Sequence, residues 1–206
     1  MEKSKPLISF IILTYNQEQF IEEAIEGAFS QTYSPLEIII SDDNSKDSTF
    51  EIIKEISGKY SGPHKIVLNQ NKENLGIGGH INRVMELCSG ELIVASAGDD
   101  ISLPERTQKI YEVFAESEGT AMSICSNAVV IDERGEELSY INKSDNLLKS
   151  LPAPLKKFKY LFNNPLSHSD FLPENIVKGD YILHGCTHAW NRKIFDSFGP
   201  LLTPIT

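Results

Sequence analysis

Leu7–Leu13 reads LISFIIL, apolar at every position but Ser9 and rich in β-branched side chains. An alternating pattern would mark a strand with one wet face. An unbroken one marks a strand covered on both faces, which is the habit of parallel sheets. The same kind of run returns at Leu36–Ser41 (LEIIIS), Lys65–Leu68 and Glu91–Ala95. Between the runs, apolar residues recur at helical spacing. Phe20, Ile21, Ala24, Ile25, Ala28 and Phe29 make one stripe, Ile52, Ile53 and Ile56 a second, and Ile81, Val84, Met85 and Cys88 a third. Pro104 suits the start of a fourth helix, with Ile110, Val113 and Phe114 inward. Asn16 and Asp47 are expected to cap the first two helices. Strands alternating with helices imply an α/β layer with a mostly parallel sheet and helices on both faces.

The pattern changes after Thr120. Ala121–Asp132 reads as a strand followed by a turn at Asp132–Gly135, so a hairpin is expected. Asn142–Lys178 is irregular and proline-bearing, and within it Leu155–Phe162 (LKKFKYLF) is expected to form a short helix, basic on one side. That helix reads as a solvated surface element, with a lid or a peripheral membrane contact as the competing reading. Leu183–Asn191 reads as one more strand and Arg192–Phe198 as a short helix. At 206 residues, with about 100–200 per domain, one domain is expected. Residues 1–120 would form a ligand-binding half and 121–206 a second half.

Composition narrows the function. Lys and Arg number 19 against 29 Asp and Glu, a net charge of −10, which disfavours a nucleic-acid binder because the phosphate backbone attracts basic surfaces. The three cysteines, Cys88, Cys125 and Cys186, form no close pair and read as reduced, buried thiols. The start, MEKSKPLISFIIL, lacks the h-region and cleavage site of a signal peptide. No stretch approaches the ~18 apolar residues of a membrane span.

Polar clusters fall where the strands end. In open α/β sheets ligands bind at the carboxyl ends of strands. Two acidic pairs, Asp42-Asp43 and Asp99-Asp100, are placed there. Adjacent carboxylates repel, and a divalent cation with oxygen preference offsets the repulsion, Mg²⁺ or Mn²⁺ above all. The competing reading is turn chemistry, because Asp, Asn and Ser bond the local backbone. Thr14-Tyr15-Asn16 ends the first strand at the same edge, where Tyr15 offers a flat face for a base. Packing of Tyr15 under the helix, with Asn16 as the cap, is the reading that spacing alone favours. Asn74–Gly79 (NLGIGG) is a glycine-rich turn into a helix, suited to an anion or to a positive φ. It is not the dinucleotide fingerprint, since Ile81 stands where the third glycine belongs. Arg83 follows one turn in, aimed at phosphate or solvated. His184 and His188 sit in a strand-like segment, where four residues span ~13 Å, so a zinc site is disfavoured. Trp190 reads as core.

Taken together, SFIILTYNQEQFIEEAIEGAFSQTY, LEIIISDDNSKDST, NLGIGGHINRVMELCSGELIVASAGDD and GCTHAWNRKIFDSFGPL resemble the family 2 glycosyltransferases, whose fold is GT-A, the nucleotide-diphospho-sugar transferase fold. The resemblance implies an inverting, metal-assisted transfer from a nucleotide-sugar donor, UDP-linked, to a glycan or lipid-linked acceptor. It implies cell-envelope polysaccharide or O-antigen assembly in the cytoplasm, at the inner membrane face. It also implies roles for single residues. Thr14, Tyr15 and Asn16 would line the donor-base pocket, with Tyr15 stacking on uracil, and Asp43 would accept from the base N–H. Asn74, Gly76 and Asn82 would shape the nucleotide-side loop. Asp99 would contact the ribose or the metal, and Asp100 would hold Mn²⁺ or Mg²⁺. Gly185, Cys186 and Thr187 would lie on the acceptor side. The family's general base follows the segment FDSFGPLLTPIT, so it is expected beyond Thr206, and Asp170, Glu174 and Asp180 lack its context. On that reading the chain is a shortened piece holding the donor site. The alternative is a non-catalytic nucleotide-sugar-binding fragment. A nucleotidyltransferase or a dinucleotide oxidoreductase would want a glycine-rich signature after the first strand, where TYNQEQF stands.

Overall fold

The computed structural model describes residues 4–126, 128–131, 137–140, 157–160 and 188–201, with backbone alone at 129–130, 137–140 and 157–160. The apolar runs form the centre of a mixed sheet. Strands β1 (Ile8–Thr14), β2 (Leu36–Asp42), β3 (Lys65–Gln70) and β4 (Leu92–Ala97) are parallel, in the order β3-β2-β1-β4. The register puts Thr14 beside Asp42 and Leu13 beside Ala97. The carboxyl ends of β1, β2 and β4 therefore finish at one edge. The sheet continues through two antiparallel neighbours, β10 (His188–Asn191) next to β4 and β6 (Ser123–Cys125) at the end.

Burial follows the strand period of two, so each unbroken run feeds two cores. On one face Ile8, Phe10, Ile12, Ile38 and Ile40 meet α1 (Ile21–Phe29), α2 (Thr49–Gly58) and α4 (Arg106–Glu116) through Ile21, Ile25, Ile53, Ile110 and Phe114. On the other, Ile11, Ile39, Ile93 and Ala95 meet α3 (Gly76–Leu87) through Val84, Met85 and Cys88. Trp190 and Phe195, the latter on α5 (Lys193–Phe198), pack against this second core. Full burial of each large aliphatic side chain is worth about 1.5–3 kcal/mol, so the two faces together anchor β1 and β2. The helices on both faces and the mostly parallel sheet agree with the expectation from sequence.

A second sheet, in the order β5-β9-β7-β8, was not legible in the sequence. It joins β5 (Asp100–Ser102), β7 (Val129–Ile131), β8 (Glu137–Tyr140) and β9 (Lys157–Tyr160). Three expectations are corrected here. Lys157–Tyr160, within the expected helix Leu155–Phe162, is a strand, because β5 on one side and β7 on the other take its backbone bonds. Ala121–Asp132 is broken, with β6 in the first sheet and β7 in the second. Asn16 does not cap α1, which starts at Ile21 with no side-chain cap; Asn16 adopts φ 52 and turns its amide toward the next loop. The expected hairpin is present as the antiparallel pair β7–β8, and its turn, Asp132–Gly135, lies outside the described residues.

Candidate functional site

Two loops follow β1 and β2, and they are stitched together. Asn16 N–H donates to Ser45 Oγ at 2.8 Å, and Lys46 N–H donates to Asn16 Oδ1 at 2.8 Å. Gln17 N–H donates to Thr49 Oγ1 at 2.8 Å, and Ser48 N–H donates to Glu18 Oε2 at 2.9 Å. Asp47 accepts from Thr49 N–H at 3.0 Å, but the N-cap position of α2 belongs to Ser48, which makes no side-chain cap bond, so Asp47 braces the turn before the helix and is not its cap. Burial would raise the Asp47 carboxyl, but hydrogen bonds from Thr49 and Glu18 outweigh it and hold it below its ordinary value. These exchanges use the loops' own polar groups, as a rigid rim requires.

The first acidic pair divides its labour. Asp42 is fully buried and accepts from Ser45 N–H at 3.0 Å, from Ser45 Oγ and from Gln70 Nε2 at 3.2 Å. Turn chemistry accounts for it. Asp43, 3% exposed, faces the glycine-rich turn. Its Oδ1 accepts from Leu75 N–H at 2.9 Å and Asn71 Nδ2 at 2.8 Å, and its Oδ2 from Gly76 N–H at 3.0 Å. The anion at the start of α3 is thus the protein's own carboxylate, the charge a helix N-terminus favours. Gly76 has φ +68, a conformation that glycine takes at no steric cost. Asn74 completes the turn by donating to the Asp43 carbonyl at 3.2 Å.

At the end of β4, Gly98 lets three groups converge. A Cβ there would lie 2.5 Å from Gln17 Oε1 and 2.6 Å from Thr14 Oγ1. Thr14 is 3% exposed, and among the described residues neither Thr14 Oγ1 nor Gln17 Oε1 has a hydrogen-bond partner. A buried hydroxyl without a partner costs about 1–3 kcal/mol, a cost that a polar ligand there would offset. Burial raises the Asp99 carboxyl, partly offset by its own backbone N–H and by the Gln17 side chain. Tyr15 stands 44% exposed beside this group, so it does not pack under α1. Asp100 is 1% exposed at the start of β5. Arg106, unread in the sequence, is fully buried and ties α4 inward, donating to Ser102 Oγ at 3.0 Å and the Ala95 carbonyl at 2.7 Å.

Other expected residues fall elsewhere. Asn82 is turned to the far segment, where Nδ2 donates to the Leu201 carbonyl at 2.9 Å and Oδ1 accepts from Leu201 N–H at 2.7 Å. Arg83 pairs with Glu86 at 2.7 Å on the exposed side of α3. His188 lies on a strand, and His184 lies outside the described residues. Gly185, Cys186, Thr187, Asp170, Glu174 and Asp180 also lie outside them. Sequence reading passed over Ser41, Asn69, Asn71 and His80. The available signal was Ser41 and Asn69, polar residues inside strands of otherwise apolar character.

Comparison with known proteins decides the class. The family model for glycosyl transferase family 2 matches residues 9–183. The chain belongs to that family. An uncharacterized glycosyltransferase of Methanocaldococcus jannaschii is 32% identical over 81% of this chain and 54% of its own length. Another from Haemophilus influenzae is 33% identical over 80% of this chain and 46% of its own. The chain thus spans about half the length of the curated relatives it matches. The mannosyltransferase PcManGT of Pyrobaculum calidifontis, solved with GDP-Man and Mn²⁺, superposes with TM-score 0.63 at 16% identity, over 98% of this chain and 49% of that one. Staphylococcus aureus TarS, solved with UDP-GlcNAc, gives 0.58 at 18%, over 93% and 47%. At such identities the likeness shows the fold, and the fold is that of the GT-A glycosyltransferases.

The candidates for a cation are Asp99 and Asp100, the latter 1% exposed. Among the described residues no three His, Cys, Asp or Glu side chains converge on one point. A pair of acids would suit Mg²⁺ or Mn²⁺, which are commonly held by one or two carboxylates with phosphate and water in the other positions.

Proposed function

We propose that this chain is the donor-binding part of a glycosyltransferase that takes its sugar from a UDP-linked donor and transfers it to an acceptor hydroxyl with inversion. The observation that carries this reading is the polar convergence at the ends of β1, β2 and β4. Thr14 Oγ1 is buried without a partner among the described residues, Tyr15 is an open ring, and Asp43 and Asp99 border the same edge. Tyr15 would stack on the base, and Asp43 would accept from its N–H. Thr14 Oγ1 would make the hydrogen bond to the nucleotide that the protein alone does not supply. Asp99 and Asp100 would hold a divalent cation at the diphosphate. That ion, when bound, would stabilise the negative charge that develops on the leaving diphosphate.

Calorimetric titration with UDP, with and without Mn²⁺, tests this. UDP should bind at least about tenfold tighter with Mn²⁺, and Asp100→Ala should remove the difference, a change of about 1.4 kcal/mol or more. Equal UDP affinity with and without the ion would defeat the metal assignment. Absence of UDP binding altogether would defeat the donor site.

A further inference from the structure

Behind Asp43 runs a chain of side chains, buried except for the half-buried Asn69, that the proposed donor contacts do not use. It begins on α3 at His80, 4% exposed, whose Nε2 lies 2.7 Å from the hydroxyl of the fully buried Ser41 on β2. Asn69 on β3 donates from Nδ2 to Ser41 Oγ at 2.9 Å and to Asn71 Oδ1 at 3.0 Å. Asn71, 7% exposed, donates onward to Asp43 Oδ1 at 2.8 Å. The path thus runs from a helix through two strands to one carboxylate.

The Asn69 bonds have a direction. Asn69 spends its amide N–H groups on Ser41 and Asn71, so both of those oxygens accept. Ser41 Oγ keeps a proton and a second lone pair for His80, donating to Nε2 when that nitrogen is unprotonated and accepting from it in the other tautomer. Burial holds the His80 imidazole below its ordinary range, against the pull of the Asp43 and Asp42 charges. Because Asn71 Oδ1 receives from Asn69, its amide cannot flip. It must therefore present its N–H to Asp43.

The consequence falls on Asp43. An ionised carboxylate has about four acceptor positions. Asn71 and Leu75 take both at Oδ1, and Gly76 takes one at Oδ2. Among the described residues, one position at Oδ2 is left. A group fixed in that way accepts from an imide N–H, as in uracil, and repels the ring nitrogen lone pair that cytosine carries at the same place. We propose that His80, Ser41, Asn69 and Asn71 are positioning residues that set base selectivity through Asp43, favouring uracil over cytosine. The inference rests on the donor-site reading above.

The test measures affinity of the chain for UDP, CDP and pyrophosphate in Mn²⁺, for wild type and for Asn71→Ala, His80→Ala and the conservative His80→Gln. Wild type should prefer UDP over CDP. Asn71→Ala and His80→Ala should cut that preference about tenfold, the scale of one hydrogen bond to a charged group. Pyrophosphate affinity should not change, and His80→Gln should recover part of the preference. A general loss of stability would weaken all three ligands together. Unchanged UDP-over-CDP preference in the folded variants would overturn the relay while leaving the donor site intact. Wild-type UDP binding without preference over CDP would overturn the base contact and the relay with it. If the variants do not fold, the wild-type chain still decides the matter. UDP, and not pyrophosphate, should shift the NMR resonances of the Asn71 side-chain amide, and no shift would overturn the proposal.

Discussion

The two ends of the central sheet bury acids in opposite ways. At the amino end, Glu37 on β2 is wholly buried, and every neighbour that meets it is a protein group. Oε1 accepts from Ser9 Oγ at 2.7 Å and Ser89 N–H at 2.5 Å, and Oε2 from Lys65 at 3.2 Å, while Ser9 Oγ accepts from Gly90 N–H at 2.9 Å. Burial would raise the Glu37 carboxyl, but the Ser89 and Ser9 hydrogen bonds and Lys65 outweigh it and hold it below its ordinary value. At the carboxyl end, the shell is incomplete. Thr14 Oγ1 and Gln17 Oε1 lack partners among the described residues, and burial raises Asp99. A closed shell makes an acid a strut. An open one leaves capacity for a ligand, and the protein gives up stability there.

The largest test of this contrast is Glu37→Ala. It leaves Ser9 Oγ and Ser89 N–H without their acceptor, each at a cost of about 1–3 kcal/mol, while Lys65, 67% exposed, returns to water. Chemical denaturation should show that loss, while the surviving folded fraction keeps wild-type UDP affinity. The pH dependence has a definite sign. Because the folded-state pKa is depressed, Glu37 contributes its stability in full above the ordinary glutamate range. That contribution is lost as pH falls through the lower folded-state value. Glu37→Gln should lack this part of the acid sensitivity, read as melting temperature against pH.

The next test uses two glycines that flank β4. At Gly90 a Cβ would meet Ser9 N at 2.5 Å and Ile8 C at 2.8 Å, which are backbone atoms and cannot turn aside. Gly90→Ala should cost stability at the upper end of the about 1–3 kcal/mol typical of overpacking, with no specific effect on nucleotide. At Gly98 the nearest obstructing atoms, Gln17 Oε1 and Thr14 Oγ1, can rotate, and only Thr14 Cβ at 2.8 Å is held by the backbone. Gly98→Ala should cost less stability and more affinity, about tenfold for UDP. The reverse ranking would break the contrast between the two ends.

The smallest effect is chemical. Burial pushes the Cys88 thiol up to about 12 and the Cys125 thiol up to about 11. Both should stay protonated and resist iodoacetamide in the folded protein at neutral pH, as peptide mass spectrometry would show. Fast labelling of Cys88 would mean that the amino end opens, against the closed-shell reading.

What could be read in advance follows from the range of each signal. The runs LISFIIL and LEIIIS and the stripes of α1 and α3 carry their structure in periods of two and 3.6 residues. The mostly parallel sheet and the edge where polar residues gather followed from them, while the strand order β3-β2-β1-β4 did not. Tyr15, Asp43, Asp99 and Asp100 could be singled out because they end strands. The partners of those residues could not. His80 meets Ser41 across 39 positions, and Asn82 meets Leu201 across 119. No local pattern announces such meetings. The helix expected at Leu155–Phe162 failed for the same reason, since the strand state of Lys157–Tyr160 is decided by the edges of β5 and β7.

The sequence alone therefore determined the layer architecture and the family and singled out the candidate acids, because short-range periodicity and ordered motifs are properties of the chain itself. Only the tertiary structure decided that Asp42 serves a turn and Asp43 braces the glycine-rich loop. It alone left Thr14 Oγ1 without a partner among the described residues, beside Gly98. Those outcomes depend on which donors and acceptors meet once remote segments are packed and water is excluded, and hydrogen-bond satisfaction is a property of the assembled neighbourhood.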